Sequence, residues 1–330
     1  MKIFWKILII LAAVILLLFL LSQGKVYPKS ELSYGMTFSE PYAKYLGLDW
    51  KQTFTAALDD LNIRKFRIPA YWDDIQANNK SDYDYSDLDW QVNEVGKRNG
   101  TVILAVGYRL PRWPECHLPD WAANLPQQDK EQDTLDYLKT TVERYKNDPQ
   151  IIAWQVENEP FLTFFGDCPK FSPAFLDKEI ALVKSLDSRP IVVTDSGELS
   201  VWYPAASRAN IFGTSVYLNT YSSNFKSYIH YPILPGFFQL KKNIVGLFAH
   251  PKKWIVIEMQ AEPWGPDSVL NLSDADMAKT MTPEKLQYIL NFGQQAGFQE
   301  FYLWGVEWWA WEKQVKGNSA YWDMAKTLFK

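Results

Sequence analysis

Ile151-Ile152-Ala153-Trp154-Gln155-Val156-Glu157-Asn158-Glu159-Pro160 is the stretch that decides how the rest of the chain is read. An apolar run carrying one glutamine stops abruptly at Glu-Asn-Glu and a proline. That is the profile of a strand buried on both faces, ending where a polar loop begins. Runs of the same kind occupy residues 32–38, 63–68, 101–107, 151–157, 190–195, 211–217, 254–258 and 301–306, which makes eight predicted strands. Ile191-Val192-Val193 and Ile255-Val256-Ile257 are continuous β-branched stretches of the type parallel sheets bury.

Between the runs, residues 133–146, 173–186 and 283–295 return apolar side chains at helical spacing. Pro173 and Pro283 suit a first helical turn, and Ser172 and Thr282 before them are candidate N-caps. Eight strand–helix alternations in one α/β chain predict a (β/α)8 TIM barrel. A doubly wound open sheet is the alternative, and the lack of a phosphate-binding glycine loop weighs against it. Residues 222–248 exceed what one helix needs, so an elaborated loop is expected there. With no composition break, residues 32–330 read as one barrel domain after a linker at 24–31.

Residues 1–23 read differently. Ile7 to Leu21 is an unbroken apolar run behind Lys2 and Lys6, which fits an N-terminal transmembrane anchor or a signal segment. No clear small-x-small cleavage site follows, which favours an uncleaved anchor, and no cysteine follows either, which excludes a lipoprotein. The expectation is a barrel tethered to a membrane and facing the extracytoplasmic side, or secreted if the segment is cleaved.

Composition narrows the chemistry. The net charge of −4 and the absence of long basic runs argue against nucleic acid as a partner. With 3 His and neither Cys-x-x-Cys nor His-Glu-x-x-His, no metal site is expected. No dinucleotide or phosphate-loop glycine pattern and no Gly-x-Ser-x-Gly elbow is present, so no cofactor is expected and a serine nucleophile is not signalled. Acid–base work then falls to carboxylates.

A barrel gathers its chemistry where strands end at their carboxyl side. Glu159 leaves the fourth strand at that rim. Glu258 ends the seventh run, Lys253-Trp254-Ile255-Val256-Ile257-Glu258-Met259, at the same rim. Two facing carboxyls can divide the breaking of an acetal, one protonated to donate and one charged to attack. Glu262, in Ala261-Glu262-Pro263-Trp264, competes with Glu258 for the second role but lies beyond the apolar run.

Asn158-Glu159-Pro160 ending strand four, with a glutamate closing strand seven, resembles the retaining (β/α)8 glycoside hydrolases, nearest to cellulase-like family five. The resemblance implies a carbohydrate substrate, with Glu159 as general acid/base and Glu258 as nucleophile of a covalent glycosyl-enzyme. It implies that Asn158 holds the sugar 2-hydroxyl, that Arg67 supports the nucleophile, that Tyr217 touches it, and that Trp304 floors the reacting sugar. Members of that family usually carry histidines near strands three and six, where this chain has Tyr108 and Ser215. Glu157 is also atypical. A transglycosylase with the same site, or a non-catalytic glycan-binding barrel, remains open, and a monomer is expected.

The 15 Trp are read as part core and part ligand surface. Trp72, Trp113, Trp202, Trp264, Trp308 and Trp309 fall in or beside predicted rim loops, and half of them are expected at the ligand. The cluster from Trp304 to Trp311 is expected to form a binding wall, with Trp308 in it. Cys116 and Cys168 follow strands three and four on one face, where a disulfide would tie two site loops together.

Overall fold

The computed structural model describes residues 31–168 and 171–329 and, ahead of them, 4–6, 9, 13, 16–17, 20 and 22–27. Eight strands run parallel: β1 (Ser33–Thr37), β2 (Lys65–Pro69), β3 (Thr101–Val106), β4 (Ile151–Val156), β5 (Ile191–Asp195), β6 (Ile211–Val216), β9 (Lys253–Gln260) and β10 (Glu300–Trp304). They close in the order β1-β10-β9-β6-β5-β4-β3-β2. A separate antiparallel hairpin, β7 (Asn219–Ser222) with β8 (Ser227–His230), follows β6. All eight predicted strands are present, with ends displaced by a residue or two. The last was predicted to reach residue 306 and stops at Trp304. Gly305 turns the chain at φ 131°, and Val306 already opens the helix Val306–Val315. A Cβ at Gly305 would meet the Glu262 Cβ at 2.7 Å, so glycine lets this exit pass close to the β9 loop.

The helices Pro173–Leu186 and Pro283–Gln295 have the expected bounds, and Gln127–Tyr145 starts before the expected residue 133. Thr282 accepts a hydrogen bond from the Lys285 N–H at 3.2 Å. Ser172 holds the N-cap position without a side-chain cap bond, so its expected role is met only in place. The stretch expected as a loop at 222–248 contains part of the hairpin and the helix Pro235–Val245.

Strand alternation divides the interior. One set of side chains packs outward under the helices. The other fills the lumen, where Ile103, Ala153, Val192, Ile255, Ile257 and Tyr302 form a small apolar layer. Arg67 and Gln155 are also completely buried, and they carry the polar groups of the site.

The tryptophan wall is not formed. Trp304, at the end of β10, is 8% exposed, and Trp308, Trp309 and Trp311 are 1%, 0% and 7% exposed because residues 306–312 of the helix Val306–Val315 are all buried. Trp308 packs on Tyr321 with centroids 4.5 Å apart, so it is placed in the core rather than at a ligand surface. Trp72 and Trp202 are completely buried as well. The apolar run at residues 7–21 lies largely outside the described residues. Among the described residues, no helix is long and apolar enough to cross a membrane. Val26 bridges Ala296, just before β10 begins.

Candidate active site

The site is assembled where β4 ends. Glu157 and Glu159 both take left-handed backbone, at φ 59° and 42°. Such residues cost roughly 1–2 kcal/mol each and persist where their surroundings fix them. Here the surroundings do so. The Glu157 carboxylate accepts the Tyr108 N–H at 3.1 Å and the Arg109 N–H at 2.6 Å. Arg109 Nε donates to the Asn158 carbonyl at 2.8 Å, and the Asn158 N–H donates to the Arg109 carbonyl at 2.6 Å. The Glu159 N–H donates to Thr194 Oγ1 at 2.8 Å. This clasp between the β3, β4 and β5 exits fixes the backbone around Asn158 and Glu159.

Glu157 is therefore a structural carboxylate. Its partner is Glu179 on the helix Pro173–Leu186, and both are completely buried. Burial pushes Glu157 up to about 7. Burial and then the charge of Glu157 push Glu179 well above the carboxylate range, so the two share a proton.

Arg67 organises the reacting groups. Its guanidinium donates from Nε to Gln155 Oε1 at 2.7 Å, from Nη1 to Glu258 Oε1 at 2.6 Å, and from Nη2 to Asn158 Oδ1 at 2.6 Å. The Tyr217 hydroxyl donates to Glu258 Oε2 at 3.2 Å. Glu258 is 5% exposed, so its charge rests on these two donors. Glu159 is 7% exposed and has no such cation. Burial first, and then the charges of Glu258, Glu115 and Asp195, push its carboxyl well above the ordinary value. One carboxyl is thus held charged and the other protonated, the division that acetal cleavage needs.

Of three further participants, two carried no sequence signal that singled them out. Glu115, in the loop after β3, accepts from Asn158 Nδ2 at 3.2 Å. Burial, followed by the charge of Glu258, raises it to about 7. Arg112, in the same loop, ion-pairs with Glu262 and with Glu307, the latter at 3.0 Å. Gln155 was visible as the one polar residue inside an apolar strand. Tyr108 packs on Phe171, and Ser215, the β6 register partner of Glu258, accepts the Gly197 N–H.

Trp304 donates from Nε1 to Glu262 Oε1 at 2.7 Å, and the Arg112 guanidinium lies 4.2 Å from its ring centroid. Of the six rim tryptophans, Trp113 is 70% exposed and Trp264 is partly exposed, while the other four are buried. Ring contacts run from Trp113 to Phe165 (6.4 Å), from Phe165 to Trp264 (5.6 Å) and from Trp264 to Tyr217 (5.2 Å). Loops after β3, β4 and β9 thus meet beside Tyr217. Cys116 and Cys168 form a disulfide with Cα atoms 5.3 Å apart, joining the first two of these loops.

Residues 32–166, less than half of the chain, match the family model Cellulase (glycosyl hydrolase family 5). No curated protein matches the chain. Among solved structures, an endo-β-1,4-xylanase of glycoside hydrolase family 10 from Gloeophyllum trabeum is similar at 14% identity and TM-score 0.59, over 91% of this chain and 96% of that one. An exo-β-1,4-mannosidase from Opitutaceae bacterium strain TAV5 gives 15% identity and TM-score 0.56, over 86% of this chain and 54% of that one. A β-galactosidase from the psychrophilic Marinomonas ef1 gives 11% and 0.54, over 82% of this chain and 54% of that one. The chain therefore spans about half the length of several of these structures. On the family match and the barrel together, this chain resembles the retaining (β/α)8 glycoside hydrolases, nearest to cellulase-like glycosyl hydrolase family 5.

Proposed function

We propose that the chain is a retaining glycosidase that cleaves β-linked glycosides by double displacement. The observation that carries this reading is the unequal treatment of two buried carboxylates. Arg67 and Tyr217 hold Glu258 charged, whereas burial and neighbouring charges hold Glu159 protonated. In the first step Glu258 attacks the anomeric carbon while Glu159 gives its proton to the leaving oxygen, and the bond between them breaks. In the second, Glu159 takes a proton from water, the water oxygen bonds to the anomeric carbon, and Glu258 is released. The similar barrels named above act on β-xylan, β-mannoside and β-galactoside linkages, which supports a β-linked substrate. A glycan-binding barrel would have no need of this division between the carboxyls.

The same reading sets the barrel outside the cytoplasm, tethered through residues 1–23. The Cys116–Cys168 bridge supports it, since such bonds persist in oxidising compartments. The decisive experiment uses the full chain and a panel of aryl β-glycosides. Glu258→Ala should abolish turnover, and azide should restore it with an inverted glycosyl azide as product, while the wild type yields a product of retained configuration. A fully active Glu258→Ala variant, or an inverted wild-type product, would overturn the reading.

A further inference from the structure

The exit of β10 and the loops after β3 and β9 hold a second group of charges beside the reacting carboxylates. Arg112 lies between two rings, 3.8 Å from the Tyr42 centroid and 4.2 Å from that of Trp304. Its Nη1 meets Glu262 and its Nη2 meets Glu307. Glu307 also accepts the Ser39 N–H, so the group is tied to the exit of β1. All three charged residues are at most 9% exposed. Burying two carboxylates around one guanidinium leaves an excess negative charge, a costly arrangement for packing alone.

Two atoms in the group are buried without a hydrogen-bond partner, Arg112 Nε and Glu262 Oε2, and only the second is an acceptor. Glu262 Oε1 is bonded by both Arg112 and Trp304, but Glu262 Oε2 is buried without a partner. A buried carboxylate oxygen left unpaired is costly unless a ligand satisfies it. Glu262 belongs to the same site. Trp304 Nε1 donates to it at 2.7 Å, and Trp264, two residues on, packs on Tyr217, which touches Glu258. Tyr217 is pushed up by burial first and then by the charges of Glu258, Glu262 and Glu159.

Direction follows from the barrel order. Glu159 protonates the leaving oxygen from the end of β4, so the departing part of the substrate lies on that side. In the closed order, β10 stands diametrically opposite β4. The non-reducing side of the substrate therefore points toward the exit of β10, where Arg112 is stacked between Tyr42 and Trp304.

Resting on the glycosidase reading, we propose that Arg112 and its partners close the site after one sugar and that Glu262 Oε2 accepts a hydroxyl of that sugar. The chain then removes terminal β-linked sugars singly from the non-reducing end.

The test uses the full chain, β-linked oligosaccharides reduced at their reducing ends, and aryl β-monoglycosides with their 3-, 4- and 6-deoxy forms. Wild type should shorten each accepted oligosaccharide by one sugar at a time. Glu262→Gln should lower kcat/KM about 10- to 100-fold on the parent monoglycoside. One deoxy substrate should lose a similar factor with wild type and be nearly indifferent to the variant, as expected where a single contact is removed twice. Products of mixed length from the first turnovers would overturn the proposal. So would an equal loss on parent and every deoxy substrate, which marks Glu262 as merely structural. Failure of the wild type to turn over any substrate counts instead against the glycosidase reading itself, and this proposal falls with it.

Discussion

Arg67 Nη1 lies 2.6 Å from Glu258 Oε1, joining β2 to β9 across 191 positions of sequence. The same guanidinium reaches Asn158 and Gln155 on the β4 side, so one side chain sets the spacing of three reacting or positioning groups. A lysine could supply the charge but not the fork. Arg67→Lys should leave the barrel folded and lower kcat/KM by roughly 100-fold, about 2.7 kcal/mol of transition-state stabilisation. Near-wild-type kinetics would remove Arg67 from the mechanism.

Glu115 adds to burial and to the charge of Glu258 in holding a proton on Glu159. Its charge is one of those that push Glu159 up, and it is itself raised to about 7. Glu159 must be protonated for the first step, so kcat/KM falls as pH rises through its pKa. Removing the Glu115 charge lowers that pKa. Glu115→Gln should therefore shift the basic limb to lower pH, measured as kcat/KM from pH 5 to 9. A limb that stays in place or moves upward contradicts the assignment.

Burial separates the tryptophans into two kinds. Trp264 touches Tyr217 and Phe165 and keeps part of its surface open. Trp264→Ala should raise KM roughly 10-fold with a small change in stability, on the order of 1 kcal/mol or less. Trp308 is 1% exposed, and Trp308→Ala should cost about 3–5 kcal/mol of stability. Kinetics and thermal denaturation of both variants separate the two roles, and a stability loss at Trp264 equal to that at Trp308 would contradict them.

The Glu157–Glu179 pair sets a pH limit on stability. Both carboxyls bind protons more tightly folded than unfolded, with Glu157 moved from 4.5 to about 7 and Glu179 further. Their contribution is complete below the unfolded value of about 4.5 and is lost as pH rises through about 7. Glu179→Gln keeps a hydrogen-bond donor for Glu157 and removes one titrating group. Urea denaturation at pH 5 and pH 8 should show a smaller fall in stability for the variant than for the wild type. An equal or larger fall would mean the pair does not share a proton.

The strands were legible because parallel strands buried on both faces must be continuously apolar, as Ile191-Val192-Val193 and Ile255-Val256-Ile257 are. Glu159 and Glu258 were legible because a carboxylate leaving such a run has few places to go but the rim. Glu115 and Arg112 were not. They sit on an irregular loop at φ 73° and 88°, where no periodicity links a residue to the face it meets. The tryptophan cluster misled for a related reason. Its density suggested a surface, but the first seven residues of the helix, packed against Tyr321 and the β9 exit, are all buried. Glu262 was weighed only as a rival nucleophile, since sequence order could not show that Arg112 and Trp304 hold its carboxylate aside.

The Val26–Ala296 bridge has a bearing on the course of the chain ahead of the barrel. Both β1 and β10 begin beside it, at the base of the barrel, while Glu159 and Glu258 stand at the opposite rim. Ser22 and Gly24 lie against Gly236 in the first turn of the helix Pro235–Val245, at the end away from the start of β9. From Val26 back toward residue 22, the chain therefore climbs the barrel wall toward the rim that carries the carboxylates.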